Sequence, residues 1–161
     1  MEDLLTIVYA TSPHKLGSSV SMLKLSCDLI KCTEMKDCKI IVCADAINAS
    51  SRFSNSRSEK EYQQYLDDIP IKIPYVQLKK SKKHIGLTKN YQQAWEGNGI
   101  RTPFVMLMNH DTAFADPILE VNIKSLLKNW PQNINLLSFA RLQHGGLSEE
   151  WWRPQPLQDF G

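Results

Sequence analysis

Residues 103–114 read PFVMLMNHDTAF, and their pattern is the strongest indication of the class of fold. Residues 104–108 form an apolar run without alternation, which is typical of a strand buried on both faces of a parallel sheet. The run ends in Asn109-His110-Asp111. Ligands of open α/β sheets bind outside the carboxyl ends of the strands, so these polar residues are candidate site residues. The alternative is that Asp111 only caps a turn.

Strand-like and helix-like segments alternate on both sides of this stretch. Further strands are predicted at residues 4–10, 39–44, 75–78 and 135–140. Helices are predicted at residues 18–32, 59–68, 87–97 and 116–130, with an exposed loop at residues 46–58. Cys43 and Trp95 are assigned to the core. This order favours an α/β fold, with a mostly parallel, doubly wound sheet flanked by helices.

Length and composition narrow the class of protein. The 161 residues predict a single domain over 1–161, which could be a fragment of a longer protein. The formal charge of +2 gives no overall signal for a nucleic-acid or membrane partner. The four cysteines follow no CxxC pattern and are predicted to be reduced structural thiols. The sequence shows no signal-peptide pattern and no span of ~20 apolar residues, so we expect a soluble, cytoplasmic protein.

Two basic or glycine-containing stretches bear on the ligand. After the first strand the chain reads TSPHKLGSS, whose single glycine matches neither the dinucleotide-binding fingerprint nor the P-loop. A dehydrogenase and a P-loop NTPase are therefore disfavoured. Residues 79–84, KKSKKH, are interpreted either as a solvated loop or as a cationic loop that closes over a diphosphate.

The order of the motifs resembles the family 2 glycosyltransferases of the GT-A fold. The resemblance rests on residues 85–90 (IGLTKN), the helix that follows, and the strand ending in NHD. It extends to residues 6–13 (TIVYATSP) and to Asp45 after the second strand. It implies a Rossmann-like GT-A fold, a nucleotide-diphospho-sugar donor and a hydroxyl acceptor that is a glycan, a protein or a small molecule.

The resemblance also implies roles for residues that match the family motifs. Asp45 is predicted to bind base or ribose, and Asp45→Ala to weaken nucleotide binding without disturbing the fold. The residues that the resemblance implies as the lining of the nucleotide-sugar site are Thr11, Ser12, Pro13, Lys89, Asn109 and His110.

The chain departs from the family where the metal-binding Asp-x-Asp motif is expected. Asn109-His110-Asp111 supplies one carboxylate, from Asp111. Mg²⁺ is commonly held by one or two carboxylates with phosphate oxygens and water, and Mn²⁺ also suits such a site. Asp111 is therefore the predicted ligand of Mn²⁺ or Mg²⁺.

Candidate catalytic carboxylates lie near the end of the sequence. Residues 144–150 (HGGLSEE) are similar to the family's Gly-Gly-aromatic-x-Glu segment. An inverting transfer needs a carboxylate to accept the proton of the attacking hydroxyl. Asp159 is the first candidate for this base, with Glu149 and Glu150 as substitutes.

Two other functions remain open from the sequence. One is a nucleotidyltransferase, although the Gly-rich or Arg-rich signature expected after the first strand is missing. The other is a non-catalytic module that binds phosphate or a polyanion through residues 79–84. The affinity of such a module for a polyanion would fall steeply with salt, whereas binding of a nucleotide through a metal ion would fall less. Salt dependence therefore distinguishes the binding module from an enzyme.

Overall fold

A computed structural model describes residues 1–13, 20–47, 56–109 and 123–132, apart from the side chains of residues 56–58. By contacts between Cα atoms the chain divides into two units, Met1–Trp130 and Pro131–Gly161. The fold below is that of the first unit. The prediction of a single domain over 1–161 stays a prediction.

A parallel sheet of four strands forms the centre of this unit. The strands are β1 (Leu5–Thr11), β2 (Lys39–Ala44), β3 (Gln77–Lys80) and β4 (Phe104–Asn109). They lie in the order β3-β2-β1-β4, and every neighbouring pair is parallel. This is the order of a doubly wound, Rossmann-like sheet, in which the direction of winding reverses between β1 and β4. The predicted α/β class is confirmed.

Helices cover both faces of the sheet. They are α1 (Val20–Lys31), α2 (Ser56–Lys72), α3 (Leu87–Gln92), which continues as a 3-10 turn (Gln93–Trp95), and α4 (Ile123–Lys128). The main core contains the buried side chains of α1, α2 and α4 with one face of β1 and β2. A smaller cluster on the other face joins Val8, Ile41 and Cys43 to Ala94 of the 3-10 turn. Since crossovers share one hand, the reversal of winding requires α3 to lie on the opposite face.

The second helix is longer than the sequence predicts. It was expected over residues 59–68, but it continues through Pro70 to Lys72. Proline removes one helical hydrogen bond, which normally favours a helix end. Here Ile69 and Ile73 are fully buried, and the Ile73 amide still donates to the Ile69 carbonyl at 2.8 Å. Burial of these two side chains offsets the cost of the proline.

Two expectations about burial are wrong. Leu107, expected inside a strand covered on both faces, is 52% exposed. Alternate residues of a strand point to opposite faces: Met106 and Met108 pack against the main core, whereas Leu107 belongs to neither core cluster. Trp95 is 51% exposed, because the preceding residue, Ala94, takes the place against the sheet. Cys43 is fully buried, as expected.

The remaining differences concern the ends of elements. The strand expected at residues 75–78 is Gln77–Lys80, and the strand at 39–44 has its predicted bounds. Of the helix expected at 116–130, residues 116–122 lie outside the described residues, as does the strand expected at 135–140. Within the described ranges, no helix has the length and apolar character needed to cross a membrane.

Candidate functional site at the carboxyl edge of the sheet

The parallel register brings the ends of all four strands to one edge of the sheet. Thr11 pairs with Ala44, so Asp45 is the first residue beyond β2, and its amide donates to the Thr11 carbonyl at 2.9 Å. Ser81 follows β3 and donates its amide to the Ala44 carbonyl at 2.9 Å. Asn109, the last residue of β4, pairs with Ala10. The polar residues after the strands therefore lie side by side, as the sequence predicts.

Asp45 is buried and holds the loop that follows β3. Its carboxylate is 2% exposed. The amides of Ala46 and Ile85 donate to Oδ1 at 2.9 Å each, and the Gly86 amide donates to Oδ2 at 3.0 Å. The positive φ of Gly86, 79°, is a conformation that glycine adopts without strain. Burial of a charge is tolerated here because donors surround both oxygens.

Two side chains of the same loop complete the shell of Asp45. Nδ1 of His84 lies 2.9 Å from Oδ2, and the Ser81 hydroxyl lies 3.2 Å from Oδ1. The Ser81 hydroxyl oxygen also accepts the Ala46 amide at 2.8 Å. A ribose or base contact with Asp45 would have to add to this shell or replace part of it. The structure thus places Asp45 at the predicted edge, with its hydrogen-bonding capacity largely used within the protein.

The lysines of residues 79–84 do not act as one group. Lys79 donates from Nζ to the carbonyls of Gln93, at 2.8 Å, and Glu96, and so caps the end of the 3-10 turn. Lys80 forms an ion pair with Asp67, with 3.6 Å between Nζ and Oδ1. Lys82 and Lys83 are exposed and make no hydrogen bond or ion pair with the residues that the structure describes. They are the cations of this segment that remain for a ligand.

Asn90 binds the ends of β1 and β2 from the face covered by α3. This side chain is 1% exposed. Its Nδ2 donates to the carbonyls of Thr11, at 3.1 Å, and Cys43, at 2.9 Å. Its Oδ1 accepts from Nε2 of Gln93 at 2.6 Å. Lys89, the neighbouring candidate for phosphate, is exposed. Asn90 therefore holds the edge together, while Lys89 faces solvent.

Two tyrosines of α2 bind the same strand ends from the opposite face. The Tyr65 hydroxyl donates to Oγ1 of Thr11 at 3.0 Å, and the Tyr62 hydroxyl donates to the Asp45 carbonyl at 2.8 Å. Their rings stack with centroids 5.8 Å apart. Burial raises the pKa of the Tyr65 hydroxyl to about 12. It therefore remains a neutral donor at physiological pH.

The other predicted residues that the structure describes lie at the ends of β1 and β4, where the winding of the sheet reverses. Thr11 is buried, Ser12 is exposed, Pro13 is half-buried and Asn109 is exposed. The Tyr91 hydroxyl donates to the Met108 carbonyl at 2.9 Å and lies 3.1 Å from Oδ1 of Asn109. The Asn109 side chain is therefore oriented by α3.

Several predicted residues lie outside the described residues. They are His110, Asp111, Glu149, Glu150 and Asp159. Within the described ranges, no group of three or more His, Cys, Asp and Glu side chains could hold a metal ion.

The sequence reasoning missed two residues at this edge. The sequence pattern distinguishes Asn90 only as part of the helix in the family resemblance, and His84 only as a member of the basic segment. A lone buried amide in a short helix and a histidine 39 positions after an aspartate give no local signal. Their contacts depend on the sheet order, which brings α3 and the β3–α3 loop to the ends of β1 and β2.

The chain matches no protein-family model, and no curated protein is significantly similar to it. The assignment of a function therefore depends on the geometry at the carboxyl edge and on the order of the motifs.

Proposed function

We propose that the protein is a GT-A-like glycosyltransferase that moves a sugar from a nucleotide-diphosphate donor to a hydroxyl acceptor. The observation that carries the proposal is the strand order β3-β2-β1-β4. It puts the reversal of winding between β1 and β4, which is where open α/β sheets bind their ligands. The chain continues from Asn109, at the end of β4, directly into His110 and Asp111.

The exposed residues at the ends of β1 and β4 suit the phosphate end of a donor. Ser12 and Asn109 are exposed, while Thr11 is buried beneath them by its contact with Tyr65. The hydroxyl of Ser12 and the amide of Asn109 are suited to hydrogen bonds with phosphate or sugar oxygens. Lys82, Lys83 and Lys89 lie after β3, away from the end of β4, and are exposed cations that suit a diphosphate extending along this edge of the sheet.

Asp111 is the residue that would hold a Mg²⁺ or Mn²⁺ ion. Asp45 is poorly suited to this role because its two oxygens already accept hydrogen bonds from the loop after β3. One carboxylate with diphosphate oxygens and water is an accepted ligand set for Mg²⁺. When bound, the ion would offset the charge that develops on the leaving diphosphate.

A carboxylate is required to accept the proton of the attacking hydroxyl. Asp159 remains the first candidate for this base, with Glu149 and Glu150 as substitutes. Inversion at the anomeric carbon follows if the acceptor attacks from the face opposite the diphosphate. The base then needs only to lie within hydrogen-bonding distance of the acceptor hydroxyl.

The contacts of the basic segment favour a transferase over a polyanion-binding module. Lys79 and Lys80 are engaged with the Gln93 carbonyl and with Asp67, respectively. Two exposed lysines, Lys82 and Lys83, are few for a phosphate-binding surface that depends on the number of cations. A nucleotidyltransferase would use the same edge of the sheet, and a product assay is needed to distinguish it.

Calorimetric titration tests the proposal. UDP, GDP and dTDP would be titrated with and without Mn²⁺, and each titration repeated at two salt concentrations. A glycosyltransferase should bind at least one nucleotide with a metal-dependent affinity, and should release free nucleotide diphosphate from the matching sugar donor. Affinity for heparin or nucleic acid that falls steeply with salt, with no nucleotide binding, would instead support the polyanion-binding module. Release of pyrophosphate from a nucleoside triphosphate would identify a nucleotidyltransferase.

A further inference from the structure

His84 and Asp45 form a pair in which a buried carboxylate holds a partly exposed imidazole. The side chain of Asp45 is 2% exposed and that of His84 is 44% exposed. The two are joined through Nδ1 and Oδ2 at 2.9 Å. The Nε2 atom of His84 makes no hydrogen bond to a residue within the described ranges. Among the described residues, the pair therefore leaves Nε2 of the ring available to contact a ligand.

The surroundings of Asp45 decide which ring nitrogen carries the proton. The groups that contact its carboxylate include three backbone amides, from Ala46, Ile85 and Gly86, all of which can only donate. An ionised carboxylate only accepts hydrogen bonds. The proton of a neutral His84 must therefore be on Nδ1, and Nε2 is left as an acceptor.

The position of the pair suits the nucleoside end of a donor. Asp45 follows β2, which is two strands away from β4 in the sheet. At a spacing of about 4.8 Å, the two strand ends are roughly 10 Å apart. If His84 acted as a general base, it would therefore be too far from a sugar at the end of β4 to take the proton of the acceptor hydroxyl directly. A nucleoside diphosphate, however, is long enough to connect the two places.

We infer that His84 accepts a hydrogen bond from the nucleobase of the donor, and that Asp45 selects this polarity by holding the proton on Nδ1. The inference rests on the proposed function and names the class of base. Uracil, thymine and guanine carry a proton on a ring nitrogen of their pairing edge. Cytosine and adenine have an unprotonated nitrogen there, which would oppose the acceptor Nε2, and their amino donor lies at the neighbouring position of the edge. The discrimination therefore concerns the ring nitrogen that faces His84. In this role His84 contacts the ligand, and Asp45 is a positioning residue.

The most direct test compares UDP with CDP, which differ at this edge and little in shape. Binding would be measured calorimetrically at one fixed pH and Mn²⁺ concentration. The wild type should bind UDP about tenfold more tightly than CDP, the ratio expected when one hydrogen bond is replaced by two opposed acceptors. His84→Ala should bind both with similar affinity, because the diphosphate contacts remain.

Asp45→Asn tests the polarity itself. Three donors converge on Oδ1 and one, the Gly86 amide, on Oδ2, so the amide oxygen should take the Oδ1 position. Nδ2 should then face His84, and the hydrogen bond from the Gly86 amide is lost. The amide then donates to Nδ1, which moves the imidazole proton to Nε2. The preference should reverse towards CDP, an outcome that loss of structure alone would not produce. If this variant does not fold, as judged by circular dichroism, the inference is tested by the ratio of UDP affinity to CDP affinity in His84→Ala.

Lys83→Ala is the matched control from the same exposed loop. This substitution should weaken the binding of UDP and of CDP equally and leave the ratio of the two affinities unchanged. If guanine is the preferred base, the same comparison is made between GDP and ADP. A wild-type ratio of one or less for the preferred pair, or an unchanged ratio in His84→Ala, would overturn this inference and leave the proposed function standing. If the wild type binds none of UDP, CDP, GDP and ADP, both proposals fall.

Discussion

The side-chain nitrogen of Asn90 lies 2.9 Å from the carbonyl oxygen of Cys43, with both residues buried. The same nitrogen reaches the Thr11 carbonyl, so one amide connects the ends of β1 and β2. The carboxyl edge of the sheet, where we propose that the ligand binds, therefore contacts α3 through hydrogen bonds from Asn90 in addition to apolar packing.

Asn90→Ala should destabilise the protein without changing its fold. The Thr11 carbonyl keeps a hydrogen bond from the Asp45 amide at 2.9 Å, whereas the Gln93 amide loses its acceptor. Three hydrogen bonds are lost, but only those to the Cys43 carbonyl and from the Gln93 side chain are counted, because the Thr11 carbonyl keeps its other donor. At about 1 kcal/mol for each of these two, the free energy of unfolding should fall by about 2 kcal/mol. Urea denaturation would measure it. Thr88→Ala, at an exposed position of the same helix, is the control and should change it by less than about 0.5 kcal/mol. Equal midpoints for the two variants would show that the Asn90 contacts contribute nothing.

Asp45→Ala should release the loop after β3. The sequence alone predicts an intact fold for this variant, but the buried carboxylate binds the amides of Ile85 and Gly86 as well as His84. We expect a loss of about 3 kcal/mol in the free energy of unfolding, because buried donors lose a charged acceptor. Trypsin should also cut faster after Lys82 and Lys83 in the native protein.

Asp67→Ala is the control for the loss of a carboxylate at an exposed position. Asp67 is 53% exposed and pairs with Lys80 at 3.6 Å. Exposed pairs of this kind contribute about 0–1 kcal/mol, so both stability and cleavage should stay near the wild-type values. A trypsin pattern shared by the two variants would contradict the assigned role of Asp45.

Asp111→Asn should abolish the metal-dependent part of nucleotide binding. The substitution keeps the shape of the side chain and removes the charge that offsets the cation. The measurement is the change in Tm when nucleotide and Mn²⁺ are added, for wild type, Asp111→Asn and the exposed control Asp37→Asn. Nucleotide with Mn²⁺ should raise the Tm of the wild type and of the control by the same amount, and should raise the Tm of Asp111→Asn only slightly. A full shift in Asp111→Asn would exclude Asp111 as the ligand, and an unfolded apo variant would support a structural turn cap.

The four cysteines should differ sharply in reactivity. Burial raises the pKa of Cys43 and Cys38 to about 11 and that of Cys27 to about 12, whereas Cys32 is exposed. The thiolate is the reactive form, so the three buried thiols are both shielded and protonated at pH 8. Titration with a thiol reagent should detect one fast group in the native protein and four in urea. Cys32→Ser should remove the fast phase, and a fast phase that persists would show that a buried thiol is accessible.

The thiols also make stability depend on pH in the alkaline range. Their pKa in the folded state lies above the ordinary thiol value of 9.0, so the unfolded chain loses these protons first. The contribution of the buried thiols to the free energy of unfolding is therefore fully present below about pH 9 and should be lost between about pH 9 and 12. Urea midpoints at pH 8 and pH 10 would show the decrease, and a higher midpoint at pH 10 would contradict it.

Local patterns in the sequence were sufficient for the class of fold. Residues 39–44 form a strand with the predicted bounds, because a short apolar run between polar segments has few alternatives to a buried strand. The alternation of strands and helices predicted a parallel sheet, and parallel strands necessarily bring their carboxyl ends to one edge. The positions of Thr11, Asp45 and Asn109 at that edge follow from this rule and not from any motif.

The tertiary structure decided what the polar residues of that edge contact. An aspartate after a strand can bind a ligand, cap a turn or hold another loop, and its local sequence is the same in each case. The strand order brings the β3–α3 loop beside β2, so the amides of Ile85 and Gly86 and the imidazole of His84 reach Asp45. Trp95 and Leu107 are exposed for a related reason, since burial depends on which elements cover a side chain and not on its own hydrophobicity. Hydrophobic periodicity is a local property, whereas hydrogen bonds between residues 39 or more positions apart exist only once the sheet has formed.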